Sequence, residues 1–200
     1  MIRVLGRKTS GNVQKVLWAL EEIGTEYDRE DYGRLFENTA DEAYLSMNPT
    51  GKVPTIVDGD TVLWESNTIV RYLCAKAGSN LLPADPATRA KAEIWMDWLL
   101  ASLNSHYVAN FVQSKKSAED RSPNAAKMGE DLVAQLVVLD DHLAKSEWLG
   151  GDAMTMADIV LGPIVNRCLG FPIELPELTN LRRWHDVISA RSAYKKVVAA

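Results

Sequence analysis

Cysteine is nearly absent: the chain of 200 residues holds only Cys74 and Cys168, far apart and with no Cys-x-x-Cys pair. That excludes a dithiol motif, and each thiol reads as a buried small hydrophobe. Histidine is as sparse. His106, His142 and His185 are scattered without metal-ligand spacing, so no metal site is expected. An excess of basic residues is also missing. The formal net charge of −5 gives no basic face for a nucleic-acid backbone, and no nucleic-acid partner is expected. Met1 to Leu5 is too short for a signal peptide, and no later apolar run is long enough to span a bilayer. The cytoplasm and no membrane partner are the expectation. What is present is an ordinary soluble composition, 46% hydrophobic and 24% charged, with enough chain for one large domain or two small ones.

The first third alternates strand and helix signals. Ile2 to Leu5 reads as a strand, and Val13, Val16, Leu17, Leu20 and Ile23 mark one buried helical face that Gly24 ends. Glu26 to Asp31 is a weaker second strand, completing a β-α-β unit with parallel pairing. After an irregular polar stretch, KVPTIVDGDTVLW places two β-rich runs around Asp58-Gly59, a strong hairpin signal. A helix with Ile69, Val70, Leu73 and Ala77 on one face follows. This order predicts a small α/β domain of thioredoxin-like type over residues 1–78. The punctuation of GSNLLPADPATRA places a linker at 79–86, and residues 87–200 read as all helical. Ile94, Trp95, Trp98 and Leu99 mark a long helix running to about Val112, with Trp95 and Trp98 as core or domain contacts. Met128 to Leu143 marks the next one. Thr155 with Asp158 resembles a capping box opening a helix bent at Gly162-Pro163, and Leu178, Leu181, Trp184 and Ile188 mark the last.

Thr9, Ser10 and Asn12 crowd the start of the first helix, where one capping side chain is enough. Either the cap is overfilled or polar groups are presented to something else. Under the predicted topology Ser10 and Asn12 converge with Lys52-Val53-Pro54-Thr55 and with Glu65-Ser66.

TSGNVQKV, NPTGKVPTIVDGDTVLWES, LLPADPATRA, WLGGDAMTMADI and RSAY together resemble the cytosolic glutathione transferases, from Met1 to roughly Tyr194. The likeness is to the bacterial, serine-type, theta- or beta-like members. It implies a thioredoxin-like N-terminal domain, an all-α C-terminal domain, and glutathione as cosubstrate without a metal. It further implies that Ser10 hydrogen-bonds the glutathione sulfur and favours the thiolate, with Asn12 as a second donor and Thr9 as a cap or understudy. Val53-Pro54 would be a cis bond whose Val53 backbone pairs with the cysteinyl unit. Ser66 would hold the γ-glutamyl carboxylate, Glu65 its ammonium and Lys52 the glycyl carboxylate. His106 and Tyr107 would wall the second-substrate pocket. A twofold homodimer is implied as well, with Asp97 reaching across it to the γ-glutamyl ammonium. The second substrate would be a small hydrophobic electrophile or a peroxide. Two further functions are compatible with the likeness: a non-catalytic binding module on the same fold, and a glutathione-dependent disulfide reductase. No Tyr or Cys lies at the first helix start, which leaves out tyrosine-type activation and argues against the mixed-disulfide branches. Ser192 stands where many relatives have Pro.

Overall fold

The computed structural model describes residues 1–198, which fall into two compact units. One comprises Met1–Leu82 together with the segment from Ala190 onward, and the other is Pro83–Ser189.

In the first unit, β1 (Ile2–Leu5), α1 (Gly11–Glu22) and β2 (Tyr27–Glu30) form the expected parallel β-α-β unit, with Ile2 opposite Tyr27. The polar stretch that follows contains a short helix, α2 (Glu42–Met47), which carries only one buried residue, Tyr44. Next come β3 (Thr55–Asp58), β4 (Thr61–Trp64) and α3 (Ser66–Lys76). The sheet order is β2-β1-β3-β4, with β3 antiparallel to both neighbours. Asp58 pairs with Thr61, so the hairpin turns on Gly59-Asp60, one residue later than Asp58-Gly59. Gly59 has φ +60°, a conformation that glycine adopts without Cβ strain.

The predicted single buried stripe on α1 is too narrow. Every residue from Val13 to Leu20 is buried, including Gln14 and Lys15, whereas Ile23 is only partly covered. The reason is α9 (Ser192–Val197), which packs on α1 alongside α3. This helix lies beyond the stretch predicted as the last, and it belongs to the first unit, whereas residues 87–200 were expected to form one helical domain. Ser192 occupies the first helical position, where Pro is well tolerated. Trp18 meets Tyr194 edge-on at 4.9 Å, and the Trp18 indole N–H donates to Glu22 Oε1 at 2.8 Å. Arg191 donates to both Glu22 oxygens at 2.6 Å, and Lys196 pairs with Glu21 at 2.8 Å.

Burial raises the Glu22 carboxyl, but the Arg191 guanidinium and the Trp18 N–H more than offset this, so its net shift is downward. A depressed carboxyl contributes stability that is present above its unfolded value and lost as pH falls through the folded one. Glu22→Gln should therefore lower the thermal midpoint by a few degrees at pH 7, given ~0.5–1 kcal/mol for a partly exposed pair. The gap between wild type and variant should shrink below about pH 4, where an unshifted glutamate is protonated. Melting curves at pH 7 and pH 3.5 check this, and a gap independent of pH would contradict it.

The second unit begins with α4 (Pro86–Trp98), capped by Asp85, which accepts from Thr88 N at 2.8 Å, with Pro86 in the first turn. A π-helical turn, Leu99–Leu103, carries it without interruption into α5 (Asn104–Gln113). The wider turn keeps both Leu99 and Leu103 buried. Trp95 and Trp98 are half-buried and meet at 5.4 Å, with Trp95 also 4.6 Å from the His142 ring. α6 (Ala125–Leu143) buries Leu132, Leu136, Leu139 and Leu143. α7 (Met156–Leu169) is almost wholly buried and continues through Pro163 without a break. α8 (Thr179–Ala190) contributes Leu181, Trp184 and Ile188.

The capping box at Thr155 and Asp158 is formed. The fully buried Asp158 carboxylate accepts from Thr155 N, Thr155 Oγ1, Leu149 N and the Trp184 indole N–H. It thereby ties the start of α7 to the preceding loop and to α8. Cys74 and Cys168 are both buried free thiols, pushed up by burial to about 11 and about 12.

Candidate active site

Ser10 is the N-cap of α1, with extended backbone, and it is buried to 8% exposure. Its hydroxyl makes no capping hydrogen bond. The overfilled-cap alternative therefore loses its main candidate. Asn12 sits on the exposed side of the first turn, and its Oδ1 accepts from Ser66 Oγ at 3.4 Å. The starts of α1 and α3 are joined by that contact, so two helix N-termini direct their positive ends to one place.

The segment before β3 is anchored from below. The Val53-Pro54 peptide is cis. Tyr44 Oη donates to Lys52 O at 2.6 Å, which commits its single proton, so Thr55 Oγ1 at 2.9 Å donates to Tyr44. Asn48 Nδ2 donates to Lys52 O at 2.8 Å and Thr55 Oγ1 at 3.0 Å, while its Oδ1 accepts from Thr50 N and Thr50 Oγ1. NPTGKVPT is thus a self-locking turn that leaves the Lys52 side chain exposed and Val53 partly exposed. Gly6 lets it approach: a Cβ there would lie 2.5 Å from Val13 Cγ2 and 3.3 Å from Val53 Cβ.

Glu65 caps α3 with φ +69°, a left-handed conformation that a non-glycine residue holds only at a cost of ~1–3 kcal/mol. Such strain is maintained where the surroundings over-determine it. Glu65 is exposed and Ser66 is buried to 6%, with its amide at the first turn of α3. Ser10, Asn12, the Val53 segment, Glu65 and Ser66 therefore all belong to the first unit, at the N-terminal ends of α1 and α3 and the start of β3.

The remaining predicted residues lie in the second unit. Asp97 is exposed on α4, between Met96 and Trp98. His106 and Tyr107 are half-buried on α5. Tyr107 stacks on Phe171 at 5.9 Å and lies 6.0 Å from Phe111, whose ring also has Lys115 Nζ 5.4 Å away. A cavity of about 720 Å³ between α5, α6 and Pro172–Glu174 is lined by Asn110, Gln113, Arg121, Val133 and Ile173, and neither His106 nor Tyr107 lines it. Among the described residues no group of three or more His, Cys, Asp or Glu side chains is placed to hold a metal ion.

Three residues of the site region were not singled out from the sequence. Tyr44 and Asn48 build the turn together with Thr55, and the Asn48-Pro49 start of NPTGKVPT is the signal that marks it. Lys15 is the third, buried beneath the start of α3 with Nζ 3.5 Å from Asn67 Oδ1. Its signal is its place in VQKVLWAL, a run with only two polar residues.

The sequence matches the family model of the glutathione S-transferase N-terminal domain over residues 3–75 and that of the C-terminal domain over residues 122–186. Glutathione S-transferase GstB of Escherichia coli K12 is 39% identical over 204 residues, covering 99% of this chain and 98% of that protein. Glutathione S-transferase 3 of Zea mays is 32% identical, covering 100% of this chain and 94% of its own length. Among solved structures, the theta class enzyme of Xanthomonas axonopodis pv. citri with glutathione bound superimposes with a TM-score of 0.95 at 37% identity, covering 100% of this chain and 97% of that one. Fold, paired domain models and full-length relatives in bacteria and plants agree, and the chain belongs to the glutathione S-transferase family.

Proposed function

We propose that the chain joins glutathione to small hydrophobic electrophiles or reduces peroxides with it, and that Ser10 holds the sulfur as a thiolate. The observation that carries this reading is the uncommitted hydroxyl at the N-cap of α1, beside the Asn12–Ser66 contact. A free thiol titrates at about 8.5. Lowering it by ~2 units requires ~2.7 kcal/mol. One hydrogen bond to a charged group supplies ~1.5–3 kcal/mol, and a helix N-terminus adds ~0.3–1 kcal/mol. Ser10 on α1 is nearly sufficient, and the Asn12 amide is the second donor. The thiolate then attacks an electrophilic carbon, forming the S–C bond as the leaving group departs with its electron pair. With a peroxide it attacks one oxygen, the O–O bond breaks and the alcohol leaves, and a second glutathione displaces water from the resulting sulfenic acid to give glutathione disulfide.

Glutathione is held along the same edge. The Val53 backbone pairs with the cysteinyl unit, and Ser66 takes the γ-glutamyl carboxylate at the N-terminus of α3. Glu65 faces the ammonium and Lys52 the glycyl carboxylate. His106 and Tyr107 contribute to the second-substrate pocket. The working form is a twofold homodimer in which Asp97 reaches the γ-glutamyl ammonium of the neighbouring subunit. Action in the cytoplasm belongs to the same reading. Among the described residues no helix is long and apolar enough to cross a membrane.

Glutathione-dependent turnover should be measurable with chlorodinitrobenzene or cumene hydroperoxide. A small disulfide in the same screen tests disulfide reduction. Glutathione binding with no turnover on any of the three would favour a non-catalytic binding module and overturn the transferase reading.

A further inference from the structure

Lys15 is 1% exposed, and among the described residues the one hydrogen bond of its side chain is the 3.5 Å contact to Asn67 Oδ1, in the first turn of α3. An ammonium carries three donors, all of which water satisfies. One long hydrogen bond to a neutral amide leaves most of that solvation unreplaced, a costly state for a buried ion. Few charges compensate. From α3, Glu65 favours the charged form. Toward α9, the acids at the far end of α1 are already engaged, Glu22 by Arg191 and Glu21 by Lys196. The nearby N-termini of α1 and α3 oppose a cation. Burial lowers the Lys15 ammonium to about 7, with Glu65 only partly restoring it. Beyond the exposed Glu65 this corner has, among the described residues, no further acid acting on Lys15, and the γ-glutamyl carboxylate would bring one.

We propose that Lys15 is a positioning residue that binds a solvent proton as the γ-glutamyl carboxylate of glutathione docks at Ser66. The inference rests on the glutathione site proposed above. In the step the neutral amine takes one H⁺ from solvent and becomes an ammonium, and no other bond changes. The charged form donates to Asn67 Oδ1 and fixes the first turn of α3, where Ser66 meets the ligand. The ligand does not touch Lys15; coupling runs through the field of the carboxylate and through Asn67. Glutathione affinity then falls as pH rises above 7, because binding must also protonate the lysine.

Isothermal titration calorimetry on the full chain tests this, using S-methylglutathione at pH 8 in buffers of different protonation enthalpy. The methyl group removes the thiol from the proton count. A group titrating near 7 is roughly nine-tenths neutral at pH 8, so wild type should take up ~0.5–0.9 proton more per ligand than Lys15→Met or Lys15→Arg. Wild-type affinity should fall ~5–10-fold between pH 7.5 and 8.5 beyond any fall in the variants. Lys15→Arg should keep the wild-type affinity at pH 6.5, because its charge is fixed. Lys15→Met should bind more weakly than wild type at pH 6.5, and the gap should narrow steadily as pH rises to 9. If the Met variant does not fold, the comparison of wild type with Lys15→Arg carries the test. Tight binding with the same proton count in wild type and variant overturns the role of Lys15 alone. No binding of S-methylglutathione by wild type overturns the glutathione site, and this inference with it.

Discussion

Ser10→Ala should lower kcat/KM for glutathione conjugation at pH 7 by about 10–100-fold and raise the bound thiol's pKa by ~1–2 units, matching a lost ~1.5–3 kcal/mol hydrogen bond to a charged sulfur. The thermal midpoint should stay within ~2 °C of wild type. Removing an N-cap hydroxyl ordinarily costs ~0.5–2 kcal/mol. Here the hydroxyl makes no capping bond, so that loss does not apply. Activity and stability should therefore separate, which a purely structural Ser10 would not allow. Ultraviolet titration of the bound thiolate, with melting curves on the same samples, measures both. An unchanged thiolate titration in Ser10→Ala and in Asn12→Ala would sink the proposed activation.

The largest loss of stability should come from a residue in the other unit. Asp158→Ala removes the acceptor for Leu149 N, Thr155 N and the Trp184 indole N–H, all in a buried setting. Each orphaned buried donor costs ~1–3 kcal/mol, and a domain has only ~5–15 kcal/mol in total. A loss of ~4 kcal/mol or more corresponds to a midpoint lowered by roughly 8–16 °C, at ~2–4 °C per kcal/mol for a chain of this size. Asp158→Asn keeps the shape and one carbonyl oxygen but places an NH2 against a donor, so it should fall between Ala and wild type. Circular dichroism melts establish the order, with Trp184 fluorescence reporting on α8. An Ala variant melting within ~2 °C of wild type would refute the assignment of this carboxylate as a structural tie.

What could be read from the chain in advance was local or came from the family likeness. The start of α1, the hairpin and the Thr155/Asp158 box depend on residues a few positions apart, and all three are present. The likeness, rather than spacing, supplied the roles of Val53 and Ser66. What escaped depends on distant partners. α9 has too little apolar periodicity to announce itself and is held by Glu22 and Trp18, which precede it by most of the chain. The apolar run VQKVLWAL marks Lys15 only as unusual, and its burial depends on α3 laid over it. The π turn at Leu99–Leu103 replaces one helical hydrogen-bonding pattern by another without changing the composition of the helix, so nothing in its residues set it apart.

The location of α9 bears on how the protein is made. Trp18 and Glu22 wait for Tyr194 and Arg191, which are synthesised after the whole of the second unit. On a ribosome, residues 1–82 emerge with the Trp18 face of α1 uncovered. Residues 83–189 then emerge as an uninterrupted stretch that holds its own core. At ~5–20 residues per second the wait lasts on the order of 5–20 seconds, long enough for a chaperone to hold the open face. The unit translated first is the last to be completed.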